Sequence, residues 1–390
     1  MSERPLYTPP FTQDARWLVQ SPLYKPDQCA TYYQATIDAF CQLRHKAQKG
    51  LLNDLEAPFI QQKKSPTERR HTLKTIVVFG TAKDIGFIQP MTSVIQSWVP
   101  VESAWPRVLF YDTIDPRLFW EMMSCTQLDT THFFFISSTG HAPEAVLPLM
   151  RCIDYWHKHP QDVANAFTII APKQHSVLSA IANQWTIRQL EYPPSDRGFG
   201  HYFSQTLLSI PEMAGFQSDQ FNKGARETCM GFFRRKLHVP MEYVALFLMG
   251  KKKAPHITSS YETILFDFTQ LTQWMNCAPH NPEPWMIPVD PLDAKSSVSF
   301  YTLFMKKNMT QEQLNPDLWR HNPILLEWAQ HPFLASVYKN HDALCRTMLH
   351  KGHFVRTLYV QKMDEYALGA LLMNHILETL LIKEIDGTLG

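Results

Sequence analysis

Between about residue 75 and residue 171 the apolar positions of this chain fall into short unbroken runs. They are Thr75-Ile76-Val77-Val78-Phe79, Val108-Leu109-Phe110-Tyr111, His132-Phe133-Phe134-Phe135-Ile136 and Phe167-Thr168-Ile169-Ile170-Ala171. Continuous β-branched and aromatic runs of this length predict strands covered on both faces, as in a parallel sheet. Helical patterns lie between them. One follows Gly80-Thr81-Ala82-Lys83-Asp84-Ile85-Gly86 and reaches about Trp98. A second runs from Pro116 to about Met123, with Asp115 suited to its cap and Pro116 to its first position. A third starts near Pro143, where Pro148 predicts a late start or a kink. A fourth runs from about Ser176 to Trp185. Strand and helix alternate at roughly 30-residue spacing, which predicts a parallel sheet with helices on both faces.

The flanks read differently. Residues 1–30 are proline-rich with little periodicity and are read as an irregular arm, followed by a helix over 31–52. Residues 56–73 are polar and basic and read as a surface connection. Residues 193–215 read as loop and then helix toward Ala214-Gly215, and one long helical stretch is expected from there to about 250. A second α/β unit is expected from about 240 to 350, with Trp285-Met286-Ile287-Pro288-Val289 as a strand and an amphipathic segment from Tyr261 to Trp274. A Leu- and Met-rich core helix runs from Asp364 to about Lys383. The expected organisation is an arm and helix at 1–70, one α/β domain at 71–215, a second at 216–350 and a helical segment at 351–390.

The stretch that organises the rest is the third strand and the loop after it. An apolar run stops abruptly at Ser137-Ser138-Thr139-Gly140-His141-Ala142, and Pro143 and Glu144 suit the first turn of a helix. A strand, a small hydroxyl-bearing loop and a helix N-terminus together favour an anion, because free N–H groups and the helix dipole converge there. The same residues also suit an ordinary β–loop–α corner in which serine and threonine only cap the helix. In an open parallel sheet, ligands sit at the carboxyl ends of the strands. The loops at 80–86 and 137–142 share that edge.

Composition narrows the classes. The chain is 45% hydrophobic and 19% charged, enough to build a large core. Lys+Arg of 37 against Asp+Glu of 36 leaves a formal net charge of +1, which draws the chain to neither nucleic acid nor anionic lipid. Seven cysteines without a C-x-x-C pair read as reduced thiols of a cytoplasmic protein. The longest apolar runs, such as Tyr243 to Met249, are too short to span a membrane. His157-Lys158-His159 and His350-Lys351-Gly352-His353 each bring only two histidines, so no metal site and no cofactor is expected.

Four blocks in order resemble the glucose-6-phosphate isomerase family, which is built from two sugar-isomerase (SIS-type) domains. Gly80-Thr81-Ala82-Lys83-Asp84-Ile85-Gly86 is similar to that family's G-G-S-x-L-G loop, and Asp112-Thr113-Ile114-Asp115-Pro116 to its N-x-D-P turn. Ile136-Ser137-Ser138-Thr139, with Glu144 beyond, is similar to its S-K-T-x-x-T-x-E-T phosphate loop. Phe199-Gly200-His201-Tyr202-Phe203-Ser204 is similar to its G-G-R-F-S segment, and Leu368-Gly369-Ala370-Leu371-Leu372 to part of its tail. The resemblance covers about 74–385. It implies two three-layer α/β/α domains with mostly parallel sheets, a helical N-terminal arm and a C-terminal helix. It also implies a homodimer whose active site borrows a residue from the second subunit, and a sugar phosphate held by Ser137, Ser138, Thr139, Gly80 and Lys83.

The implied chemistry is isomerisation between glucose 6-phosphate and fructose 6-phosphate through a cis-enediol. It needs a carboxylate base, a cation near the enediolate and groups for ring opening. The family's glutamate falls on Asn276, Cys277 or Ala278, and no acid stands between Asp267 and Glu283. Its arginine falls on Gly200 or Tyr202. Its histidine falls on Lys295 or Val298, and its final lysine segment would begin where Gly390 stands. Within the phosphate loop, Ser138 replaces the lysine and Ala142 the later threonine. Two functions are compatible with this pattern. One is an isomerase that uses Lys295 for proton transfer and Glu283 as a displaced base. The other is a catalytically degenerate isomerase scaffold, which senses a sugar phosphate or assembles with a protein partner.

Overall fold

In the computed structural model the described residues are 9–14, 25–49, 52, 73–86, 88–89, 91–92, 105–156, 160–193, 203–235, 237–249, 256–259, 287–288, 300–306, 354–360 and 364–389. The chain forms two compact units, one of residues 53–218 and 266–281, the other of residues 1–52, 219–265 and 282–390. In chain order the elements are β1 (Phe11–Asp14), α1 (Pro26–Gln48), β2 (Thr75–Gly80), α2 (Ala82–Ile85), β3 (Arg107–Tyr111), α3 (Pro116–Ser124), β4 (Thr131–Ile136), α4 (Pro143–Trp156), α5 (Pro160–Ala166), β5 (Phe167–Ala171), α6 (Val177–Trp185) and β6 (Arg188–Glu191). Then come α7 (Gln205–Met213), α8 (Ser218–Phe233), α9 (Val239–Met249), β7 (His256–Ser259), β8 (Ile287–Pro288), β9 (Phe300–Lys306), β10 (Phe354–Val360) and α10 (Glu365–Leu389).

The predicted α/β architecture is present. The first sheet has the order β3-β2-β4-β5-β6, and every neighbouring pair is parallel. Strand residues on both faces are buried. Val77, Phe79, Phe133, Phe135, Phe167 and Ile169 join one core cluster with Met122 and Met123 of α3, Leu149 and Cys152 of α4, and Leu178 of α6. The alternate residues Ile76, Val78, Ile136 and Ile170 are just as buried. That is why the strands read as unbroken apolar runs. Rings bridge the strands: Phe79 stacks on Phe135 at 5.4 Å, and Phe167 meets Phe135 edge-on at 5.4 Å and Phe133 at 5.3 Å. Such pairs add to the burial of their area.

Local signals held at several ends. The Asp115 carboxylate accepts the Arg117 N–H at 2.8 Å and Pro116 opens α3, as a cap and first turn require. Ser176 caps α6 by accepting the Ser179 N–H at 3.1 Å.

Three expectations are corrected. The helix at 143 does not start late: α4 begins at Pro143 and carries a buried Pro148 inside it. The N–H that Pro148 lacks leaves the Glu144 carbonyl without its helical bond, and burial of the proline ring offsets part of that cost. After Gly80 comes the four-residue α2, and of the helical stretch expected from there to about Trp98 the described residues 88–89 and 91–92 are helical, whereas 93–104 lie outside the described residues. The single long helix expected to 250 is two, α8 and α9, because Arg235 takes a left-handed conformation at φ +56 after α8 and Pro240 sits in the first turn of α9. The arm at 1–30 is not irregular throughout. Its residues 11–14 form β1, antiparallel to β10, with Phe11 opposite Val360 and itself fully buried.

The second sheet has the order β1-β10-β9-β7-β8. Apart from the β1 edge its pairs are parallel. Ile287–Pro288 is the observed core of the expected strand at 285–289. Tyr261 to Trp274 lies outside the described residues. In the same unit α1, α9 and α10 pack together, and Phe40 of α1 meets Phe232 of α8 edge-on at 5.0 Å. Residues 367–382 of α10 are buried on all sides, the pattern of a central helix. The α10 helix crosses α8 at two glycines: a Cβ on Gly369 would lie 2.0 Å from the Phe221 carbonyl oxygen, and one on Gly224 would lie 2.0 Å from that of Tyr366.

Candidate functional site at the carboxyl edge of the first sheet

β2 and β4 pair in register up to Gly80 opposite Ile136, so their following loops leave the sheet side by side. Gly80 permits this approach, since a Cβ there would lie 2.9 Å from the Ile136 carbonyl oxygen. Thr81 then caps α2. Its hydroxyl accepts the Asp84 N–H at 3.1 Å and donates to Asp84 Oδ2 at 3.0 Å. Asp84 is 2% exposed, and its Oδ1 is buried without a hydrogen-bond partner among the described residues. Lys83 is exposed at the surface of the same turn.

The loop after β4 is tighter. Ser137 donates its N–H to the Ile170 carbonyl at 3.0 Å, which extends the strand pairing by one residue and draws the side chain fully inside. Its hydroxyl accepts the Gly140 N–H at 2.8 Å and the Ala142 N–H at 3.3 Å. The Thr139 hydroxyl lies 3.3 Å from it and accepts the His141 N–H at 3.3 Å. Gly140 has φ +73, and a Cβ there would fall 2.2 Å from Ser176 Cβ. The Leu178 N–H reaches the Gly140 carbonyl at 3.1 Å, and His141 Nε2 lies 3.1 Å from the His175 carbonyl. The corner is thus fastened to the loop between β5 and α6.

Sequence reasoning treated Ser137, Ser138 and Thr139 alike, and the structure separates them. Ser137 organises the loop from inside, Ser138 is half-buried and Thr139 is exposed. Among the described residues, no acceptor takes the backbone N–H of Ser138 or Thr139. α4 begins four residues after Thr139, so its positive end lies beside these amides. The arrangement offers two adjacent N–H donors, two accessible hydroxyls and a helix N-terminus, with the Lys83 ammonium on the neighbouring loop.

Glu283 and Lys295 lie outside the described residues, as do Arg197, Gly200, Tyr202 and residues 270–279. Both histidine pairs do as well. Among the described residues no three His, Cys, Asp or Glu side chains gather into a metal-binding group, and no helix is long and apolar enough to cross a membrane. Cys152 and Cys229 are buried, and burial pushes the Cys152 thiol well up and the Cys229 thiol to about 12. Neither suits nucleophilic work.

Sequence reasoning did not single out Asp84, His141 or His175. For Asp84 the signal was present, because Thr81-x-x-Asp84 has the spacing of a capping box. The histidines had none, because only the sheet brings 141 beside 175.

A parallel sheet with both faces covered and two loops leaving its carboxyl edge side by side defines an α/β protein. Solved structures sharpen this: the fold is similar to that of a glucose-6-phosphate isomerase. The crystal structure of a glucose-6-phosphate isomerase from Chlamydia trachomatis superposes with a TM-score of 0.67 at 12% identity, covering 96% of this chain and 84% of that one. The hypothetical protein TT0462 from Thermus thermophilus superposes with a TM-score of 0.68 at 15% identity, covering 96% and 94%. No family model matches the sequence, and no curated protein matches it by sequence.

Proposed function

We propose that the chain is a phosphosugar isomerase-like protein that holds the phosphoryl group of a sugar phosphate at the loop after β4. The observation that carries this is the pair of Ser138 and Thr139 amides, without an acceptor among the described residues, beside the start of α4. A dianionic phosphate accepts from such amides and from the Ser138 and Thr139 hydroxyls, and Lys83 balances its charge. Ser137 contributes indirectly by shaping the loop. Gly80 contributes by letting the Lys83 loop approach.

If the chain turns over, the reaction is the exchange of glucose 6-phosphate and fructose 6-phosphate. Lys295 and Glu283 are the groups assigned to proton transfer. A second reading has a specific support in the sequence: no acid stands between Asp267 and Glu283, where the resemblance places the base. A missing general base costs ~10²–10⁴ in rate. The chain then binds its ligand as a sensor, or serves as a scaffold for a protein partner, without turnover.

One paired experiment separates these. Fructose 6-phosphate raises the melting temperature, whereas fructose does not, and Thr139→Ala makes the rise smaller at every ligand concentration. A coupled assay on the same samples reads turnover. Binding with turnover supports the isomerase, and binding without it supports the sensor. No shift with any hexose phosphate overturns the phosphate site.

A further inference from the structure

His141 stands just past the loop assigned to the phosphate and has no part in that assignment. Its backbone N–H donates to the Thr139 hydroxyl at 3.3 Å, which sets the residue against the loop. Its ring Nε2 lies 3.1 Å from the His175 carbonyl oxygen. A carbonyl oxygen only accepts, so Nε2 carries the proton of that bond. In the neutral ring this fixes the tautomer and makes Nδ1 a bare acceptor. Among the described residues Nδ1 has no partner, and the residue is exposed. Nδ1 is also the ring nitrogen nearer to the residue's own backbone. The ring spans two loops that are already fastened to each other, since the Leu178 N–H donates to the Gly140 carbonyl at 3.1 Å. An acceptor is therefore held in place beside the Ser138 and Thr139 amides, where every other group named so far is a donor or a hydroxyl.

We infer that His141 Nδ1 reads the oxygen on the carbon next to the phosphoester and so selects the open-chain form of the sugar. The inference rests on the phosphate reading above, because a phosphoryl group on the Ser138 and Thr139 amides brings the carbons beside its ester to this end of the loop. In a hexose 6-phosphate the carbon next to the ester-bearing one is C5. In the open chain C5 carries a hydroxyl, which donates to Nδ1. In the closed ring the same oxygen is an ether without a proton, and it meets Nδ1 lone pair to lone pair. One acceptor thus attracts the first form and repels the second, and specificity is such a difference. A lysine or arginine in this place would not discriminate, because a hydroxyl and an ether oxygen both accept from a donor. The choice suits either function. An aldose and a ketose exchange only through the open chain, so an isomerase of this kind takes up the reactive form, and a sensor responds to that form alone.

Titration calorimetry on the full chain tests it, at about pH 8.5, well above the ordinary imidazole value. The probes are glucitol 6-phosphate, an open chain with a free C5 hydroxyl, and anhydroglucitol 6-phosphate, whose C5 oxygen is locked in a ring ether. Inorganic phosphate is the control. The readout is the ratio of the two ester affinities, compared between variants, so that the cost of ordering the longer open chain cancels. His141→Ala lowers that ratio roughly threefold to tenfold by weakening glucitol 6-phosphate, the effect of one hydrogen bond, and leaves the affinity for inorganic phosphate unchanged. His141→Gln keeps an N–H for the His175 carbonyl but has no acceptor at the Nδ1 position, and it lowers the ratio equally. A ratio that is the same in the unaltered chain and in His141→Ala overturns the inference. A ratio lost in His141→Ala but kept in His141→Gln overturns it as well, because the tie to His175 would then be the cause. If neither ester nor inorganic phosphate binds, the phosphate reading falls and this inference with it, an outcome distinct from binding without discrimination.

Discussion

Two of the places that depend on glycine differ in what surrounds it. At the crossing of α8 and α10, Gly224 and Gly369 let two helix backbones touch, and Phe221, Ala225 and residues 367–382 beside them are buried. At the corner after β4, Gly140 lets the chain turn at φ +73 against Ser176, but the residues before it emerge at the surface with two amides lacking an acceptor among the described residues. Packing accounts for the first place completely. Gly369 belongs to the tail block that resembles the isomerase family, and its steric role suffices to explain it. At the corner, packing accounts for Ser137 and Gly140 but gives the amides of Ser138 and Thr139 no acceptor. Where the contacts explain a residue type, no ligand is needed. Where they stop, at Ser138 and Thr139, a ligand has something to do.

Substitutions sharpen that contrast, the largest effect first. Gly369→Ala pushes a methyl into the Phe221 carbonyl and costs about 3 kcal/mol or more. Gly387→Ala, on the same helix with nothing within 4 Å, is neutral or slightly stabilising. Denaturant titration followed by helical signal reads both, and equal effects would deny the tight crossing. Gly140→Ala meets both the left-handed φ and Ser176, and costs about 2 kcal/mol while also weakening sugar-phosphate binding.

Alkaline pH separates interior from surface by a smaller amount. A thiol whose folded-state value is raised holds its proton when the unfolded chain has lost it. Stability is therefore complete below pH 9 and falls as pH rises from 9 toward about 12 for Cys229. The loss is about 1 kcal/mol by pH 10 and is removed by Cys229→Ala, as melting temperature against pH will show. The same thiols resist alkylation in the folded chain, whereas exposed Cys41 and Cys125 react. Smallest is Thr139→Ala, which lowers affinity for fructose 6-phosphate roughly threefold to tenfold and leaves the melting temperature of the ligand-free chain unchanged. A drop in that melting temperature would make Thr139 a structural residue like Ser137.

The first sheet was readable because each of its inner strands is buried on both faces and so carries an unbroken apolar run. β6 was not readable. Arg188–Glu191 is a four-residue edge strand, exposed at its ends and half-buried between, without such a run. β1 escaped for another reason. Only Phe11 signals burial, and the pairing with Val360 spans nearly the whole chain, so no local pattern encodes it. The break between α8 and α9 depends on one left-handed arginine, a conformation that residue type does not announce. At the site, the end of the β4 run located the loop correctly. Which of three consecutive hydroxyls faces outward depends on one more bond of the strand ladder, Ser137 to Ile170, and only the folded sheet supplies it.

The central claim is that a phosphoryl group rests on the amides of Ser138 and Thr139. A crystal structure of the chain with fructose 6-phosphate tests it most directly. The account predicts phosphoryl oxygens about 2.7–3.2 Å from those two nitrogens, with Ser137 Oγ still turned to Gly140. A phosphoryl group bound elsewhere, with both amides facing only water, would contradict it.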